Sequence, residues 1–158
     1  IDIVIKPTPE GLANMGEFVT NMHTESGLIN EFEHGVDLAD AEQIVLEYVK
    51  RFVPEARTAP LAGNTIGTDR MFINRYMPQL DSHLHYRNID VSSVKELSRR
   101  WYPRVYFNLP TKSGGHRALA DILESIKELQ YYRKTVFVEQ PGPTSEAAKS
   151  AAEGLGAD

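Results

Sequence analysis

The chain has 158 residues, 41% of them hydrophobic, which is enough for one globular domain with a buried core. No apolar run approaches the roughly 18 residues of a membrane span. The N-terminus lacks the basic and apolar regions of a signal peptide. The absence of cysteine excludes disulfides and thiolate metal sites. We therefore expect a cytoplasmic protein that does not bind a membrane.

The charge of the chain is negative overall but unevenly distributed. A formal net charge of −5 argues against a surface that binds long nucleic acids, because those reward positive charge. Between residues 87 and 117, however, seven basic side chains accompany only two acidic ones. This segment could hold a small anionic ligand, although a solvated helix face explains the same charges.

The predicted elements alternate between strands and helices, which indicates an α/β fold. Residues 1–7 are rich in β-branched side chains and predict a strand that ends at the prolines that follow. Two short helical pieces come next, with a break near residue 27. Residues 37–53 carry an apolar stripe at helical spacing, with Asp37 as the N-cap and Pro54 just beyond the last turn.

The second half of the chain continues the alternation. It predicts short strands at 59–64 and 84–90, and helices at 65–77, 92–101 and 116–134. Ser93 and Glu96 fit a capping box at the start of the helix 92–101. The last residues are rich in proline, small side chains and acids. We expect a domain at 1–138, followed by a poorly ordered or frayed helical tail at 139–158.

Three carboxylates lie at the edges of predicted elements, where open α/β sheets form their sites. Asp69 follows a strand-ending Gly63–Asn64 and lies in the first turn of a helix. Asp90 ends a strand, and Asp121 lies early in the last helix. Carboxylates without cysteines suggest a hard cation such as Mg²⁺ or Mn²⁺. Each acid taken alone is more often a capping or surface carboxylate.

Four motifs follow one another along the chain: GNTIGTD (63–69), HYRNIDVS (85–92), KELSRRW (95–101) and HRALAD (116–121). The segment MHTESGL (22–28) accompanies them. As a set, and in this order, they resemble the oligoribonuclease family within the DEDDh 3′→5′ exonucleases. The resemblance covers roughly residues 1–138. It implies a ribonuclease-H-like α/β fold with a mixed sheet flanked by helices.

The resemblance implies a 3′→5′ exoribonuclease that degrades very short RNA, down to dinucleotides, with two divalent ions, Mg²⁺ or Mn²⁺. By matching motif, Asp69 and Asp121 are metal-ligating carboxylates and His116 is the general base. An imidazole that titrates near ~6.5 suits that role. The two glycines before His116 predict a loop there, so the base and Asp121 need not share one helix face.

The resemblance also implies substrate contacts and a homodimer. The candidate binding residues are Phe18, His23, Thr65, Thr68, Tyr86, Arg87 and Ser92. Tyr86 and Arg87 would reach the substrate bound to the partner subunit, and His23 would lie near the 5′ phosphate. Ser92 would contact phosphate at a helix N-terminus. Phe18 would stack on a base, or else be an ordinary core residue.

One family motif, D-x-E on the first strand, is not present. Ile1–Asp2 resembles its start, but Val4 stands where the glutamate is required. Residues 1–7 match the family's third strand instead. The first two strands would then be absent, and the chain would begin about forty residues into the family pattern. We therefore expect the 158-residue chain to be inactive, because half of the metal carboxylates are missing.

Other interpretations stay open. Because Asp69, His116 and Asp121 are intact, we favour a truncated sequence of a longer enzyme over a natural inactive fragment. A different enzyme of the same class would act on longer single-stranded RNA or on DNA ends. A non-catalytic fragment would dimerise and hold nucleotides without cutting them.

Overall fold

In a computed structural model of the protein, which describes residues 1–111 and 117–155, helices surround a small parallel sheet. The first part holds α1 (Pro9–Ala13), α2 (Glu17–Glu25), a 3₁₀ helix (Leu28–His34) and α3 (Leu38–Phe52). The centre holds β1 (Pro60–Gly63), α4 (Ile66–Tyr76), α5 (Pro78–His83) and β2 (His85–Asp90). The rest holds α6 (Val91–Trp101), α7 (Pro103–Tyr106), α8 (Ala118–Thr135) and α9 (Ser145–Leu155). None of the helices in the described residues has both the length and the apolar character needed to cross a membrane.

The two strands pair in parallel, with Gly63 opposite Asp90. Helices α4 and α5 form the crossover that a parallel pair requires. Because both strands run in the same direction, their carboxyl ends meet at one edge of the sheet. The segments that follow the strands, 64–69 and 91–92, are therefore neighbours. The antiparallel part of the expected mixed sheet does not occur among the described residues.

The hydrophobic core lies where α3, α5 and β1 meet. Its buried members are Leu46, Leu80 and Leu84, and partly buried side chains pack around them: Val45, Val49, Leu61, Ile73 and Met77. The apolar stripe predicted for α3 supplies Leu46's neighbours in this cluster. The helix that the sequence predicts most clearly therefore forms one wall of the core.

A buried carboxylate joins α3 to α5. Glu42, which is 6% exposed, accepts hydrogen bonds from the backbone N–H groups of Gln79 at 2.6 Å and Leu80 at 3.1 Å. The first N–H groups of a helix have no partner within the helix. Glu42 supplies that partner from a different helix, so it caps α5 and ties it to α3.

The strand predicted at residues 1–7 is wrong. β-Branched residues favour extended backbone, but a strand also needs a partner with which to form a ladder. Within the described residues, this segment forms a single parallel bridge between Ile5 and Val36, with Lys6 N donating to the Val36 carbonyl at 2.8 Å. Asp37 is the N-cap of α3 as predicted, although its side chain makes no capping hydrogen bond.

The capping box predicted from Ser93 and Glu96 is also wrong. Helix α6 begins at Val91, and its N-cap is Asp90. The Asp90 carboxylate accepts a hydrogen bond from Ser92 N at 2.9 Å. Aspartate is among the preferred N-cap residues, and here it precedes the predicted cap by three positions.

The segment after residue 138 contains helix α9, at Ser145–Leu155. Its start carries a side-chain cap, since Ala147 N donates to Thr144 Oγ1 at 3.1 Å. The domain boundary near residue 138 stays a prediction.

A salt bridge ties the 3₁₀ helix to the start of α8. The Arg117 guanidinium donates to both carboxylate oxygens of Glu31, at 2.8 and 3.2 Å. This hydrogen bonding lowers the pKa of Glu31 below its ordinary value of 4.5 and raises the pKa of Arg117 above its usual range. The bridge holds the residue just before α8 against a segment 86 positions earlier in the chain.

Replacing Glu42 with alanine should lower the free energy of unfolding by about 1–3 kcal/mol, because two backbone donors at the start of α5 lose their acceptor. Glu42→Gln keeps an acceptor oxygen and should lose less. Urea denaturation measures both changes. Glu47→Ala, on the exposed side of the same helix, is the control and should stay within about 0.5 kcal/mol. Equal losses for the Glu42→Ala and Glu47→Ala variants would contradict the capping role.

Replacing Glu31 with glutamine should flatten the acid limb of the stability curve. The folded-state pKa of Glu31 lies below its unfolded value, so its contribution is complete above the unfolded value near 4.5 and is lost as the pH falls through the folded pKa. Denaturant titrations between about pH 5 and pH 3 measure this slope. Glu33→Gln, in the same 3₁₀ helix, should keep the slope of the unaltered protein. A Glu31→Gln slope identical to that of the unaltered protein would refute the assignment.

Candidate active site

A cavity of about 550 Å³ lies between the end of β1, the start of α4 and one face of α8. Asp69 from α4 and Asp121 from α8 both line it, together with Asn64 and Ser125. Apolar side chains, among them Ile122, form the rest of the wall. The structure therefore brings together the two carboxylates that the sequence predicts as metal ligands. A larger groove of about 960 Å³, along the last turns of α8, contains none of the predicted site residues.

The two carboxylates occupy equivalent positions on their helices. Asp69 lies in the first turn of α4, and Asp121 lies in the first turn of α8. A carboxylate in the first turn of a helix is favoured by the positive end of the helix dipole. The dipole of its own helix therefore favours each carboxylate. The positions of α4 and α8 place both carboxylates at one cavity.

The loop between β1 and α4 is held in an uncommon backbone conformation. Thr65, the N-cap of α4, has φ of 54°, which is rare for a β-branched residue. Its N–H donates to Asp90 Oδ1 at 3.1 Å and to Ser92 Oγ at 2.9 Å. The carboxyl ends of β1 and β2 are therefore cross-linked directly beside the cavity.

Ser92 is engaged within the protein. Its N–H donates to Asp90 Oδ1, and its hydroxyl donates to Asn64 Oδ1 at 3.2 Å. A hydroxyl has a single hydrogen to donate. A phosphate contact of the kind that the motif implies would require Ser92 to release Asn64.

Phe18, His23 and Thr68 are not among the described residues that line this cavity. Phe18 on α2 is 79% exposed, which excludes the core-packing alternative. His23 is half-buried and forms a T-shaped pair with Phe32, with 6.3 Å between the ring centroids. Its Nδ1 is buried and has no hydrogen-bond partner among the described residues. Thr68 is exposed on α4. His116, the predicted base, lies outside the described residues.

Tyr86 and Arg87 form a pair on β2. The Tyr86 side chain is 73% exposed, and the Arg87 guanidinium carbon lies 5.3 Å from the centre of its ring. Neither residue is among the described residues that line the cavity of Asp69 and Asp121.

Asp69 and Asp121 are the acids that line this cavity, and carboxylate oxygens suit a hard divalent cation. Among residues 1–111 and 117–155, no group of three or more acids, histidines or cysteines is arranged to hold a metal ion. Mg²⁺ is often bound through one or two carboxylates, with water and substrate phosphate completing its shell. Asp69 and Asp121 are two carboxylates of this kind at one cavity. Two ions would need protein ligands in addition to this pair.

The basic segment predicted at 87–117 is partly neutralised. Lys95 Nζ lies 3.7 Å from Glu128, and Arg117 is bound to Glu31. Arg100 pairs with Glu96 one turn away, and this hydrogen bond lowers the pKa of the Glu96 carboxyl. Among its described residues, 87–111 and 117, the segment therefore does not present a continuous row of unpaired cations.

Sequence reasoning missed three polar residues: Asn64 and Ser125, which line the cavity, and Glu128, which accepts a hydrogen bond from Asn64. The sequence nevertheless carried a signal for two of them. Asp121, Ser125, Glu128 and Tyr132 are spaced at i, i+4, i+7 and i+11, so they share one face of α8. Glu128 is 3% exposed and Tyr132 is fully buried, so this polar face points into the protein.

The comparisons with known proteins agree with the motifs. Residues 1–129, which contain Asp69 and Asp121, match the family described as Exonuclease. The oligoribonuclease of Leifsonia xyli subsp. xyli is 68% identical over 151 residues, covering 96% of this chain and 73% of that protein.

Two further relatives carry the same name. The oligoribonuclease of Streptomyces griseus is 59% identical over 157 residues, covering 99% of this chain and 78% of that protein. The oligoribonuclease of Mycobacterium avium is 58% identical over 156 residues, covering 98% of this chain and 73% of that protein. These matches confirm the expected family and α/β exonuclease fold, and the chain belongs to the oligoribonuclease family of 3′→5′ exoribonucleases.

Proposed function

We propose that this protein degrades very short RNA, down to dinucleotides, to mononucleotides from the 3′ end. The observation that carries this proposal is that Asp69 and Asp121 line the same cavity, in a chain of the oligoribonuclease family. The name of the relatives supports short RNA as the substrate class.

The distribution of charge supports a short substrate. Binding of a long strand depends on many phosphate contacts along a positive groove. This protein has a net charge of −5, and Lys95, Arg100 and Arg117 are paired with acids. A dinucleotide carries few phosphates and needs only a local site.

We assign the binding of divalent metal, Mg²⁺ or Mn²⁺, to Asp69 and Asp121, and we propose that the active protein binds two ions with further ligands besides these two carboxylates. When bound, such ions polarise the phosphate and lower the pKa of water. The two carboxylates would hold this charge at the N-termini of α4 and α8. His116 is the proposed general base, which takes a proton from the attacking water.

The remaining substrate contacts are assigned by motif and supported by exposure. Phe18 is an exposed aromatic side chain, which suits stacking on a base. His23 is proposed to lie near the 5′ phosphate, and Thr68 faces solvent next to Asp69. Thr65 and Ser92 would bind phosphate only after their mutual hydrogen bonds change, because the Ser92 hydroxyl now donates to Asn64.

We further propose a homodimer in which Tyr86 and Arg87 contact the substrate of the partner subunit. The pair is on β2, and Tyr86 is largely exposed, so both side chains are available to a second molecule. The cytoplasmic location and the inactivity of the 158-residue chain alone stay predictions.

The substrate class is tested with protein produced from the complete gene. Initial rates on a dinucleotide, a ten-nucleotide RNA and a single-stranded DNA of the same length should be highest for the dinucleotide. Faster cleavage of the longer strands would instead identify a broader nuclease. Binding without any cleavage in excess Mn²⁺ would identify a nucleotide-binding module.

Replacing Asp121 with asparagine should raise the Mn²⁺ concentration needed for half-maximal activity, because a metal ligand loses its charge. Replacing His116 with alanine should lower kcat by about 100-fold to 10,000-fold and leave the Mn²⁺ titration unchanged, since it removes a base and not a ligand. Asp40→Asn is the matched control, an exposed acid in the first turn of α3. An unchanged Mn²⁺ titration for Asp121→Asn would refute the ligand role, and an unchanged kcat for His116→Ala would remove the base.

Replacing Tyr86 with alanine should weaken cleavage of dinucleotides in a homodimer without changing the dimer's metal requirement. Sedimentation establishes the oligomeric state, and mixing Tyr86→Ala with Asp121→Asn subunits tests action across the interface. Activity should reappear in the mixture, because each mixed dimer contains one site with both residues intact. A monomer that cleaves dinucleotides at the normal rate would rule out the assignment of Tyr86 and Arg87.

A further inference from the structure

We propose that Asn64 is a positioning residue that holds the Asp69 and Asp121 helices in register through a continuous hydrogen-bond chain. The inference rests on the proposed function in so far as it treats those two carboxylates as the reactive pair. It assigns a role to a residue that does not itself need to touch substrate or metal.

The Asn64 side chain bridges three elements. Its amide nitrogen donates to Ser125 Oγ at 2.9 Å and to Glu128 Oε2 at 3.4 Å, both on α8. Its amide oxygen accepts from the Ser92 hydroxyl at 3.2 Å, at the start of α6. Since Asn64 itself follows β1, one side chain joins the strand end to two helices.

The chain continues from Asn64 to the backbone of Asp121. The Ser125 hydroxyl accepts from Asn64 and donates to the Asp121 carbonyl at 2.9 Å. A hydroxyl that accepts from one group and donates to another transmits the position of the first to the second. Asn64 thus sets where the first turn of α8 lies relative to β1.

On the other side, Asn64 controls the start of α4. The next residue is Thr65, whose positive φ is maintained by hydrogen bonds from its N–H to Asp90 and Ser92. Ser92 is also the donor to Asn64, so the same hydroxyl restrains the side chain of one residue and the backbone of the next. Asp69 follows within the first turn of α4.

A buried carboxylate anchors the far end of the chain. Glu128 accepts from Tyr132 Oη at 3.2 Å and faces Lys95 Nζ at 3.7 Å. Burial raises the pKa of Tyr132 well above its usual range, so its hydroxyl stays protonated and keeps donating. The anchor explains why position 64 needs an amide: it donates to the carboxylate on one side and accepts from Ser92 on the other.

The amide requirement yields two informative substitutions. Asn64→Ala removes the whole bridge. Asn64→Asp keeps the shape and the acceptor for Ser92 but places a second carboxylate against Glu128, where the two negative charges repel. If the chain positions the reactive carboxylates, both changes should act on the metal site and not only on stability.

The experiment uses protein from the complete gene with Mn²⁺ as the probe. For Asn64→Ala and Asn64→Asp, affinity for Mn²⁺ without substrate, measured by titration calorimetry, should fall by about 10-fold to 100-fold, as for supporting residues around metal sites generally. With a dinucleotide, kcat should fall in the same range while KM changes less. Circular dichroism checks that each variant is folded. If Asn64→Asp does not fold, Asn64→Ser takes its place in the same measurements.

A double-mutant cycle tests the route through Ser125. Because Asn64 acts on Asp121 by way of the Ser125 hydroxyl, the effects of Asn64→Ala and Ser125→Ala on Mn²⁺ affinity should be less than additive. The matched control is Asn74→Ala. The Asn74 side-chain amide lies near the other end of α4 and donates to Asp81 Oδ2 at 2.9 Å. That variant should leave Mn²⁺ affinity and kcat unchanged.

Two results would overturn the inference: unchanged Mn²⁺ affinity in the Asn64 variants, or strictly additive effects in the cycle. Failure of the proposed function looks different. An unaltered protein that binds Mn²⁺ but does not cleave dinucleotides would refute that function, while the affinities measured without substrate would still decide the role of Asn64.

Discussion

The parallel pairing of β1 with β2 is the constraint on which the candidate site depends. It makes both strands end at the same edge, so Asn64 and Thr65 meet Asp90 and Ser92. The crossover then begins its first helix at this edge, which places Asp69 there. Helix α8 completes the site by laying its polar face against the same strand end.

Buried carboxylates connect elements in two separate parts of the molecule, and in both cases donors surround them. Glu42 receives two backbone N–H groups of α5, and Glu128 receives a tyrosine hydroxyl and an asparagine amide. A buried carboxylate without such partners would be strongly destabilising. Glu42 thereby links α5 to α3, and Glu128 links α8 to the segment after β1, whereas the leucines around Leu46 supply non-directional apolar packing.

Features that depend on local pattern could be predicted from the sequence. Helix α3 follows from its apolar stripe, and Asp69 and Asp121 lie at helix starts where motif and pattern put them. Residues 1–7 could not be read in this way, because a strand exists only with its partner. The role of Asn64 could not be predicted for a related reason. Its hydrogen bond to Ser125 joins residues 61 positions apart in sequence, and only the fold brings them together.

The polar face of α8 has a consequence for how the protein tolerates changes in length. Asp121, Ser125, Glu128 and Tyr132 depend on a common helical phase, and one inserted or deleted residue rotates everything beyond it by about 100°. A single-residue insertion between Asp121 and Glu128 would turn either the cavity-lining carboxylate or its buried anchor away from Asn64. Insertions and deletions are therefore compatible with the site only outside the stretch from Asp121 to Tyr132.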